Sequence, residues 1–269
     1  MKPSPARQSP AGNEPLVLCE HKNGVAILTL NRPDKRNTLS RQMLVSLKDN
    51  IDAIRDDPDV RVVILGANGT VFSSGHDMKE VLGNNRDGIE SLFSLSTGVM
   101  EAIRLSPKPV IAQVQGLATA AGCQLVASCD LAVAASSAGF QTPGVHIGLF
   151  CSTPMVPLSR AVPLKKAMEM LLTGEAISAE EAYRVGLVNH VVPPEELAAA
   201  TMQLAQKIIP FSSYTIALGK QAFYKQLALD QSSAYEVGKE AMVRNALAED
   251  AHEGMSAFLE KRQPRWKHR

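Results

Sequence analysis

The stretch from residue 110 to residue 130 constrains the fold more than any other part of this 269-residue chain. It reads VIAQVQGLATAAGCQLVASCD, an apolar run that leads through small residues into a helix-like segment. A buried strand, a tight turn and a helix are therefore predicted here. The first N–H groups of such a helix have no acceptor within the helix, so they point at whatever lies above the sheet. The stretch predicts an anion-binding site made of backbone.

Small residues dominate the predicted turn. Longer side chains would fill the space in front of the backbone, so their absence predicts that a ligand lies directly against it. The alternative is that small residues only allow the helix to pack closely on the sheet. The residues concerned are Gly116, Ala118, Ala120, Ala121 and Gly122.

The composition excludes several classes of protein. With 45% hydrophobic residues the chain can bury a sizeable core. A formal net charge of +1 gives no field that would attract nucleic acid or an anionic membrane, so neither partner is expected. The four cysteines show no CxxC pair and no zinc-like spacing, which argues against a metal site and a disulfide framework.

The first residues differ from the rest in composition. Residues 1–15 are rich in Pro, Ser and Ala and lack the apolar core of a signal peptide or a membrane span, so they are predicted to form a disordered tail. A trimmed organellar presequence would look the same. The expected compartment is therefore the cytoplasm of a bacterium or the mitochondrial matrix of a eukaryote.

Local patterns predict the elements of the first half of the chain. Residues 16–21 and 25–31 predict a hairpin, because Asn23 and Gly24 supply the positive φ of a tight turn. A helix is predicted to begin near Ser40 and to end before Pro58, since apolar residues recur there at three- and four-residue spacing. These residues are Met43, Leu44, Leu47, Ile51 and Ile54.

Continuous apolar runs predict strands that are covered on both faces. They occupy residues 60–67, Val110–Val114 and Leu131–Ala135. Strands that alternate with helices indicate an α/β fold, and this pattern alone is as consistent with a doubly wound sheet as with any other arrangement.

Five stretches, in order along the chain, resemble the crotonase family, also called the enoyl-CoA hydratase/isomerase superfamily. They read NRPDKRNTLS, FSSGHDMKE, KPVIAQVQG, AMEMLLTGEAISAEEAYRVGLVNHVVP and GMSAFLEKRQPRW. The resemblance implies a crotonase-like (ClpP/crotonase) spiral of β-β-α turns over residues 16–160. A C-terminal helical trimerisation region, residues 161–269, would continue it within one family domain.

The resemblance also implies how a thioester is held. Its carbonyl would lie between two backbone N–H groups, those of His76 and Ala121. Both would stabilise an enolate oxygen, and loss of one such donor typically costs about a hundred- to thousandfold in rate. The His76 imidazole is a candidate general base, but the implied role needs only its main chain. Asp77 and Glu80 precede a helical run and predict a capping box.

Family hydratases carry two catalytic glutamates, and this chain has Gln124 and Gly144 at the matching positions. Hydration needs one group to take a proton from water and one to deliver a proton to carbon. Glutamine exchanges no proton at neutral pH, and glycine offers only backbone. Each acid–base contribution is worth about a hundred- to ten-thousandfold. Efficient hydration is therefore not expected, although Gln124 can orient a water or a carbonyl.

The segment that follows Gly144 offers substitutes. His146 is either a replacement for the missing acid or a satisfied residue on an apolar strand. A nucleophile pair of Cys151 with His146 is a further alternative, but it lacks a third, orienting residue. Cys151 and Ser152 stand where relatives have a Pro-Gly loop beside the acyl chain, so a changed pocket wall is implied.

Coenzyme A is implied as the carrier of the substrate or ligand, and no separate cofactor or metal is expected. The resemblance places its adenine near Ser73, Ser74 and Gly75, and its phosphates near Arg32 and Lys35. Gly116 would line the same ligand.

The resemblance further implies a homotrimer, or a hexamer made of two trimers. Phe258 and Lys261 match family positions that reach the nucleotide of a neighbouring subunit. Ordinary solvated charge explains Lys35 and Lys261 about equally well.

Three hypotheses of function follow. The first is an enzyme of fatty-acid or acyl-CoA metabolism that stabilises a thioester enolate. An isomerase, lyase, thioester hydrolase, decarboxylase or weak hydratase would all use the same hole, since each develops negative charge on the same oxygen. The second is a non-catalytic acyl-CoA binder or scaffold subunit, because both usual proton carriers are absent. The third, a relative of serine peptidases, lacks support from any GxSxG motif.

Overall fold

The computed structural model describes residues 14–269, so the predicted disordered tail lies outside the described residues except for its last two positions. Within that range the strands are β1 Val17–Lys22, β2 Val25–Leu30, β3 Val62–Ala67, β4 Val71–Ser73, β5 Val110–Val114, β6 Leu117–Thr119, β7 Leu131–Ala135, β8 Gly139–Gln141, β9 Ile177–Ser178 and β10 His190–Val192. The α-helices are α1 Arg41–Arg55, α2 Met78–Leu82, α3 Arg86–Leu105, α4 Ala121–Ser128, α5 Met155–Ala161, α6 Leu164–Thr173, α7 Ala179–Arg184, α8 Leu197–Ile208, α9 Ser213–Gln226, α10 Gln231–Ala246 and α11 Glu249–Leu259.

The described strands form two sheets, and the chain passes from one sheet to the other several times. The larger has the order β1-β2-β3-β5-β7-β10, and the smaller has the order β4-β6-β8-β9. Each of β3, β5 and β7 is followed directly by a strand of the smaller sheet, after which helical segments return the chain. This β-β-α repetition confirms the spiral. A single doubly wound sheet, the alternative from the pattern alone, is not formed.

The central strands β3, β5 and β7 of the larger sheet are buried on both faces, as their apolar runs predict. Along β3, Val63 and Leu65 join the main core, whereas Val62 and Ile64 join a second, smaller core. That smaller core also includes Leu197 and Ala205 of α8, which covers this face of the sheet. Side chains of a strand alternate between faces, so an unbroken apolar run results where both faces are covered.

The hairpin and the first helix are confirmed. β1 pairs antiparallel with β2, and Asn23 and Gly24 between them have φ values of 51° and 79°. Ser40 caps α1, since its hydroxyl accepts a hydrogen bond from the Met43 N–H at 3.3 Å. The five apolar residues on which the helix was predicted are all buried.

Two strands complete the sheets beyond residue 160. β9 pairs antiparallel with β8, and β10 pairs parallel with β7. The boundary predicted at residues 160 and 161 thus falls within the sheet-bearing part of the chain, and the purely helical part begins only after β10. Strands of two and three residues are too short for periodicity to reveal.

The last helices attach to the core through a buried ion pair. The Lys220 Nζ of α9 donates to Asp130 Oδ2 at 2.6 Å and to the carbonyls of Ile103 and Lys108, both at 3.0 Å. The Tyr224 hydroxyl donates to Asp130 Oδ1 at 2.9 Å. None of the helices between residues 14 and 269 combines the length and the apolar character needed to span a bilayer.

Candidate active site

The predicted site residues gather at one edge of the smaller sheet. β4, β6 and β8 run parallel, so their carboxyl ends meet at the same edge. The segments that follow these strands carry Gly75 and His76, Ala120 and Ala121, and Thr142 and Gly144. Ligands of α/β proteins bind beyond the carboxyl ends of parallel strands.

The Gly75–His76 peptide directs one N–H away from Leu39, the residue that holds its carbonyl. The Gly75 carbonyl accepts a hydrogen bond from the Leu39 N–H at 2.8 Å. In a trans peptide the C=O and the following N–H point in opposite directions, and the described chain contains no cis bond. The His76 N–H therefore points to the side opposite Leu39.

The Ala120–Ala121 peptide directs a second N–H out of the start of α4. The Ala120 carbonyl accepts from the Gln124 N–H at 3.0 Å, so the Ala121 N–H points the other way, out of the helix. Ala120 has φ 51° and ψ −117°, a conformation that costs free energy for a residue with a Cβ. Such strain is typical of functional sites, where the surrounding structure fixes one peptide orientation.

Gly75 brings these two peptides together. A Cβ at this position would lie 3.2 Å from the Ala121 nitrogen and 3.1 Å from the Thr119 carbonyl oxygen. Its φ of +81° also favours glycine. Among the described residues, neither the His76 N–H nor the Ala121 N–H donates to a main-chain acceptor. Two free donors on adjoining backbone segments have the composition of an oxyanion hole.

Two of the small residues serve packing rather than ligand contact. A Cβ at Gly116 would lie 2.0 Å from the Thr70 carbonyl oxygen, and one at Gly122 would lie 2.4 Å from the Ser73 carbonyl oxygen. The space in front of both glycines is filled by the backbone around β4. Close backbone packing thus explains Gly116, which the sequence assigned to ligand binding.

The His76 side chain is buried, and its surroundings favour the neutral ring. Its Nδ1 lies 3.3 Å from the Leu39 carbonyl oxygen, which can only accept, so this nitrogen carries the proton. Burial lowers the pKa of the imidazole, and the ring packs edge-on against Phe93 with centroids 5.1 Å apart. Nε2 is buried without a partner among the described residues. The side chain thus supports the backbone segment that carries the donor.

Asp77 and Glu80 cap two different helices. The Asp77 carboxylate accepts from the Lys79 N–H at 2.9 Å at the start of α2. Glu80 does not return to Asp77, because its carboxylate accepts from the Arg41 N–H at 2.8 Å at the start of α1. The predicted capping role holds for Asp77, and Glu80 instead joins α2 to α1.

Gln124 lies on α4 with 2% of its surface exposed. Its Oε1 is buried without a partner in the described structure, and the same holds for the Thr142 hydroxyl. A buried polar atom that forms no hydrogen bond costs free energy, so orphaned atoms beside a site require an explanation. The structure places an amide, not a carboxyl, at this position.

Gly144 has no room for a side chain. A Cβ there would lie 2.3 Å from the Leu149 carbonyl oxygen and 2.9 Å from the Cys151 Sγ. The N–H of Gly144 donates toward the Cys151 thiol, whose pKa burial nevertheless raises. Residues 149–151 therefore fill the space that a side chain at position 144 would occupy, and Gly144 can contribute only backbone.

His146 lies in a 3-10 turn, Pro143–Ile147, and not on the expected strand. Its ring is exposed, and its Nε2 lies 2.7 Å from the Thr173 carbonyl oxygen at the end of α6. No hydrogen bond joins His146 to Cys151 within the described residues, so the nucleophile pair is not assembled. The histidine connects the turn to α6.

The residues expected near coenzyme A are of two kinds. Ser73 is buried and uses its hydroxyl internally, so only its backbone is left for a ligand. Arg32 and Lys35 are more accessible, and Arg32 pairs with Asp34 at 3.3 Å. At the other end of the chain, Phe258 is 82% exposed on α11, and Lys261 follows this helix on the surface.

Asn37 was not among the predicted site residues. It is fully buried with φ 50°, and its side-chain Nδ2 donates to the carbonyls of Asn68 and Val71 at 2.8 and 2.9 Å. Asparagine tolerates positive φ, so its place in a polar turn was an available signal. Over residues 14–269, no group of three or more His, Cys, Asp and Glu side chains suits a metal ion.

Comparison with known proteins gives consistent results. The profile of the family described as enoyl-CoA hydratase/isomerase matches residues 20–269. Human enoyl-CoA hydratase domain-containing protein 3, mitochondrial, is 52% identical over 91% of this chain and 82% of its own length. Its crystal structure has a TM-score of 0.91 at 51% identity and covers 93% of this chain and 100% of that chain.

More distant relatives carry names of enzymes. A short-chain-enoyl-CoA hydratase of Clostridium acetobutylicum is 36% identical over 91% of this chain and 95% of its own length. The crystal structure of an enoyl-CoA hydratase from Mycobacterium smegmatis has a TM-score of 0.91 at 48% identity, and covers 94% of this chain and 99% of that one.

Proposed function

The chain belongs to the enoyl-CoA hydratase/isomerase family, and from this premise we propose that it binds an acyl-CoA thioester and stabilises its enolate between the N–H groups of His76 and Ala121. The observation that carries the proposal is the pair of free donors on either side of Gly75, whose missing Cβ leaves the space before the Ala121 nitrogen open. Donors fixed before the reaction need no reorganisation when charge develops on the oxygen.

Positions 124 and 144 narrow the chemistry. Gln124 exchanges no proton at neutral pH, and Gly144 has no space for a side chain. The site therefore favours reactions that develop negative charge on the thioester oxygen without two carboxyl groups: isomerisation or decarboxylation through an enolate, or thioester hydrolysis through a tetrahedral oxyanion. Efficient hydration by a pair of glutamates is not part of the proposal.

A non-catalytic acyl-CoA binder or scaffold subunit is the second candidate. It is favoured by the same two positions, because an intact thioester site without proton carriers binds without turning over. The two candidates share the ligand and differ only in turnover.

Saturated, enoyl and malonyl-type acyl-CoA thioesters, assayed by mass spectrometry and by calorimetry, test the proposal. Gly75→Ala should reduce turnover of a reactive thioester by about a hundred- to thousandfold, because the new Cβ crowds the Ala121 donor. Gly186→Ala is the matched control: Gly186 also has positive φ, but the nearest atom to a Cβ there is 3.5 Å away.

The outcomes separate the candidates. Turnover that Gly75→Ala abolishes and Gly186→Ala retains supports an enzyme that uses this hole. Tight binding without turnover across the panel supports the binder. A protein that binds none of the thioesters contradicts both.

Assembly and location complete the proposal. We propose a homotrimer or a hexamer of two trimers, in which Phe258 and Lys261 reach a neighbouring subunit's nucleotide. The human and mouse relatives are named as mitochondrial, and the proposed compartment is the mitochondrial matrix in a eukaryote or the cytoplasm in a bacterium. Fractionation of the source cells tests the location.

A further inference from the structure

Residues 32–39, here called the basic loop, contain the predicted phosphate contacts Arg32 and Lys35. The loop contacts the segment after β4 that carries His76, the first proposed oxyanion donor. The loop is held together by Asn37, whose Oδ1 accepts from the Arg32 N–H at 2.9 Å and whose N–H donates to the Arg32 carbonyl at 2.8 Å. Asn37 thus ties the later part of the loop back to its start at Arg32.

Ser73 joins the basic loop to the donor segment. Its hydroxyl donates to the Asn37 carbonyl at 2.8 Å and accepts from the Gly75 N–H at 3.3 Å. Both Asn37 and Ser73 are fully buried, so water does not compete for these bonds. The hydroxyl is a relay between the loop and the glycine before His76.

The basic loop thus holds Gly75 at both of its polar atoms. The Gly75 N–H is held through Ser73, and the Gly75 carbonyl accepts directly from the Leu39 N–H at 2.8 Å. The orientation of the Gly75–His76 peptide sets the direction of the His76 N–H. A change in the basic loop therefore reaches the donor through two short hydrogen-bonded routes.

We propose that Ser73 is a positioning residue that couples the coenzyme A phosphates, bound at the basic loop, to the orientation of the His76 N–H in the oxyanion hole. This inference rests on the proposed function and assigns a role to the nucleotide end of the ligand. Binding energy from a remote part of a substrate can be used to orient groups at the reacting centre. A small misplacement of such a group costs up to about a hundredfold in rate.

The readout is the carbonyl stretch of a bound thioester, which falls in frequency as hydrogen bonds polarise the carbonyl and which requires no turnover. Hexanoyl-CoA and hexanoyl-pantetheine, both labelled with ¹³C at the carbonyl, carry the same acyl group with and without the nucleotide phosphates. Infrared difference spectra and calorimetry are recorded for the wild-type protein, Ser73→Ala and Ser96→Ala. Ser96 is equally buried, but its hydroxyl has no partner among the described residues, so it controls for loss of a buried hydroxyl.

In the wild-type protein and in Ser96→Ala we expect a larger shift for hexanoyl-CoA than for hexanoyl-pantetheine. In Ser73→Ala the two shifts should become equal, while the Kd for hexanoyl-CoA changes less than threefold. Where a thioester turns over, Ser73→Ala should lower kcat by about ten- to hundredfold with little change in KM. Ser73→Cys, which keeps a weaker donor and acceptor, should give an intermediate shift and replaces Ser73→Ala if the alanine variant does not fold.

Equal shifts for the two ligands in the wild-type protein overturn the coupling, as does a Ser73→Ala protein that behaves like Ser96→Ala. In both cases, a bound thioester whose carbonyl stretch is still lowered in frequency would leave the proposed oxyanion hole supported. Bound hexanoyl-CoA with no carbonyl shift in the wild-type protein contradicts the proposed function and the coupling together.

Discussion

At the scale of single residues, the candidate site is built from buried polar groups, the His76 imidazole and the Gln124 amide. The buried His76 ring contacts the Leu39 carbonyl at 3.3 Å, and the buried Gln124 side chain is an amide. The amide is uncharged by residue type, whereas the protonation of His76 depends on its burial.

The buried imidazole predicts sensitivity to acid. Burial lowers the pKa of His76 in the folded protein, whereas an exposed imidazole titrates near pH 6.5. Below about pH 6.5 the unfolded chain therefore binds a proton that the folded chain does not, so stability falls with pH until the lowered pKa is passed. Urea unfolding at pH 7.5 and pH 5.0 should show a smaller loss for His76→Gln than for the wild-type protein. Equal losses would contradict this assignment.

Crowding at Gly144 predicts a cost for any side chain there. Gly144→Ala places a Cβ 2.3 Å from the Leu149 carbonyl oxygen, and such overpacking costs about 1–3 kcal/mol. Gly98→Ala, in the middle of α3 with no atom within 4 Å of its new Cβ, should instead stabilise the protein by about 0.5–1 kcal/mol. Thermal and urea unfolding of both variants measure the difference, and a Gly144→Ala protein as stable as wild type would contradict the structure of this turn.

At this scale, the sequence could predict roles that depend on local backbone but not roles that depend on contacts between separate segments. The two proposed oxyanion donors were assigned from the family resemblance, because they need only the backbone of a recognisable turn. The filled space at Gly144 and the hydrogen bonds through Ser73 could not be predicted. Each depends on an atom that only the folding of the chain brings close, the Leu149 carbonyl in one case and the Asn37 carbonyl in the other. Leu149 returns over Gly144 through a 3-10 turn, and Asn37 is 36 positions from Ser73.

At the scale of elements, α9 is attached to the core by one buried ion pair. The side chains of Lys220 and Asp130 are only 7% and 14% exposed, and two backbone carbonyls complete the coordination of the ammonium. Burial lowers the pKa of Lys220, and Asp130 opposes this shift. Removal of one partner leaves the other charge buried and unpaired.

Lys220→Met should therefore destabilise the protein by about 3–5 kcal/mol. Lys239→Met on α10 is the control, because the pair of Lys239 with Glu236 is largely exposed and its loss should not be measurable. Urea unfolding quantifies both. A Lys220→Met protein that unfolds like the control would show that α9 is held by other contacts.

Elements were predictable where their pattern was long. Fifteen residues of α1 show the full apolar spacing, whereas β9 and β10 have two and three residues and were missed. The spiral of β-β-α turns was predicted from resemblance, because apolar periodicity identifies a buried strand without saying which sheet it joins.

At the scale of the whole molecule, the C-terminal helices expose many large apolar side chains. On α10 these are Tyr235, Met242 and Val243, with Leu247 directly after it, and on α11 Phe258 and Leu259 are about four-fifths exposed. Large exposed apolar surfaces mark interaction sites in soluble proteins, so these exposed side chains support the proposed assembly.

Light scattering should accordingly give the mass of a trimer or of a hexamer. The double variant Met242→Glu/Leu247→Glu places charges on this surface and should lower the mass while circular dichroism stays unchanged. A wild-type mass equal to that of one chain would contradict the proposed assembly.

Inhibitors with a permanent negative charge should distinguish this protein from hydratases with two glutamates. A carboxylate about 4 Å from an anionic nitronate repels it by about 4 kcal/mol at an effective dielectric constant of 20. Gln124 and Gly144 carry no charge, so a nitronate analogue of an acyl-CoA meets the two oxyanion donors without this repulsion. A stable anion is therefore the starting point that we expect to give a selective chemical probe of this protein.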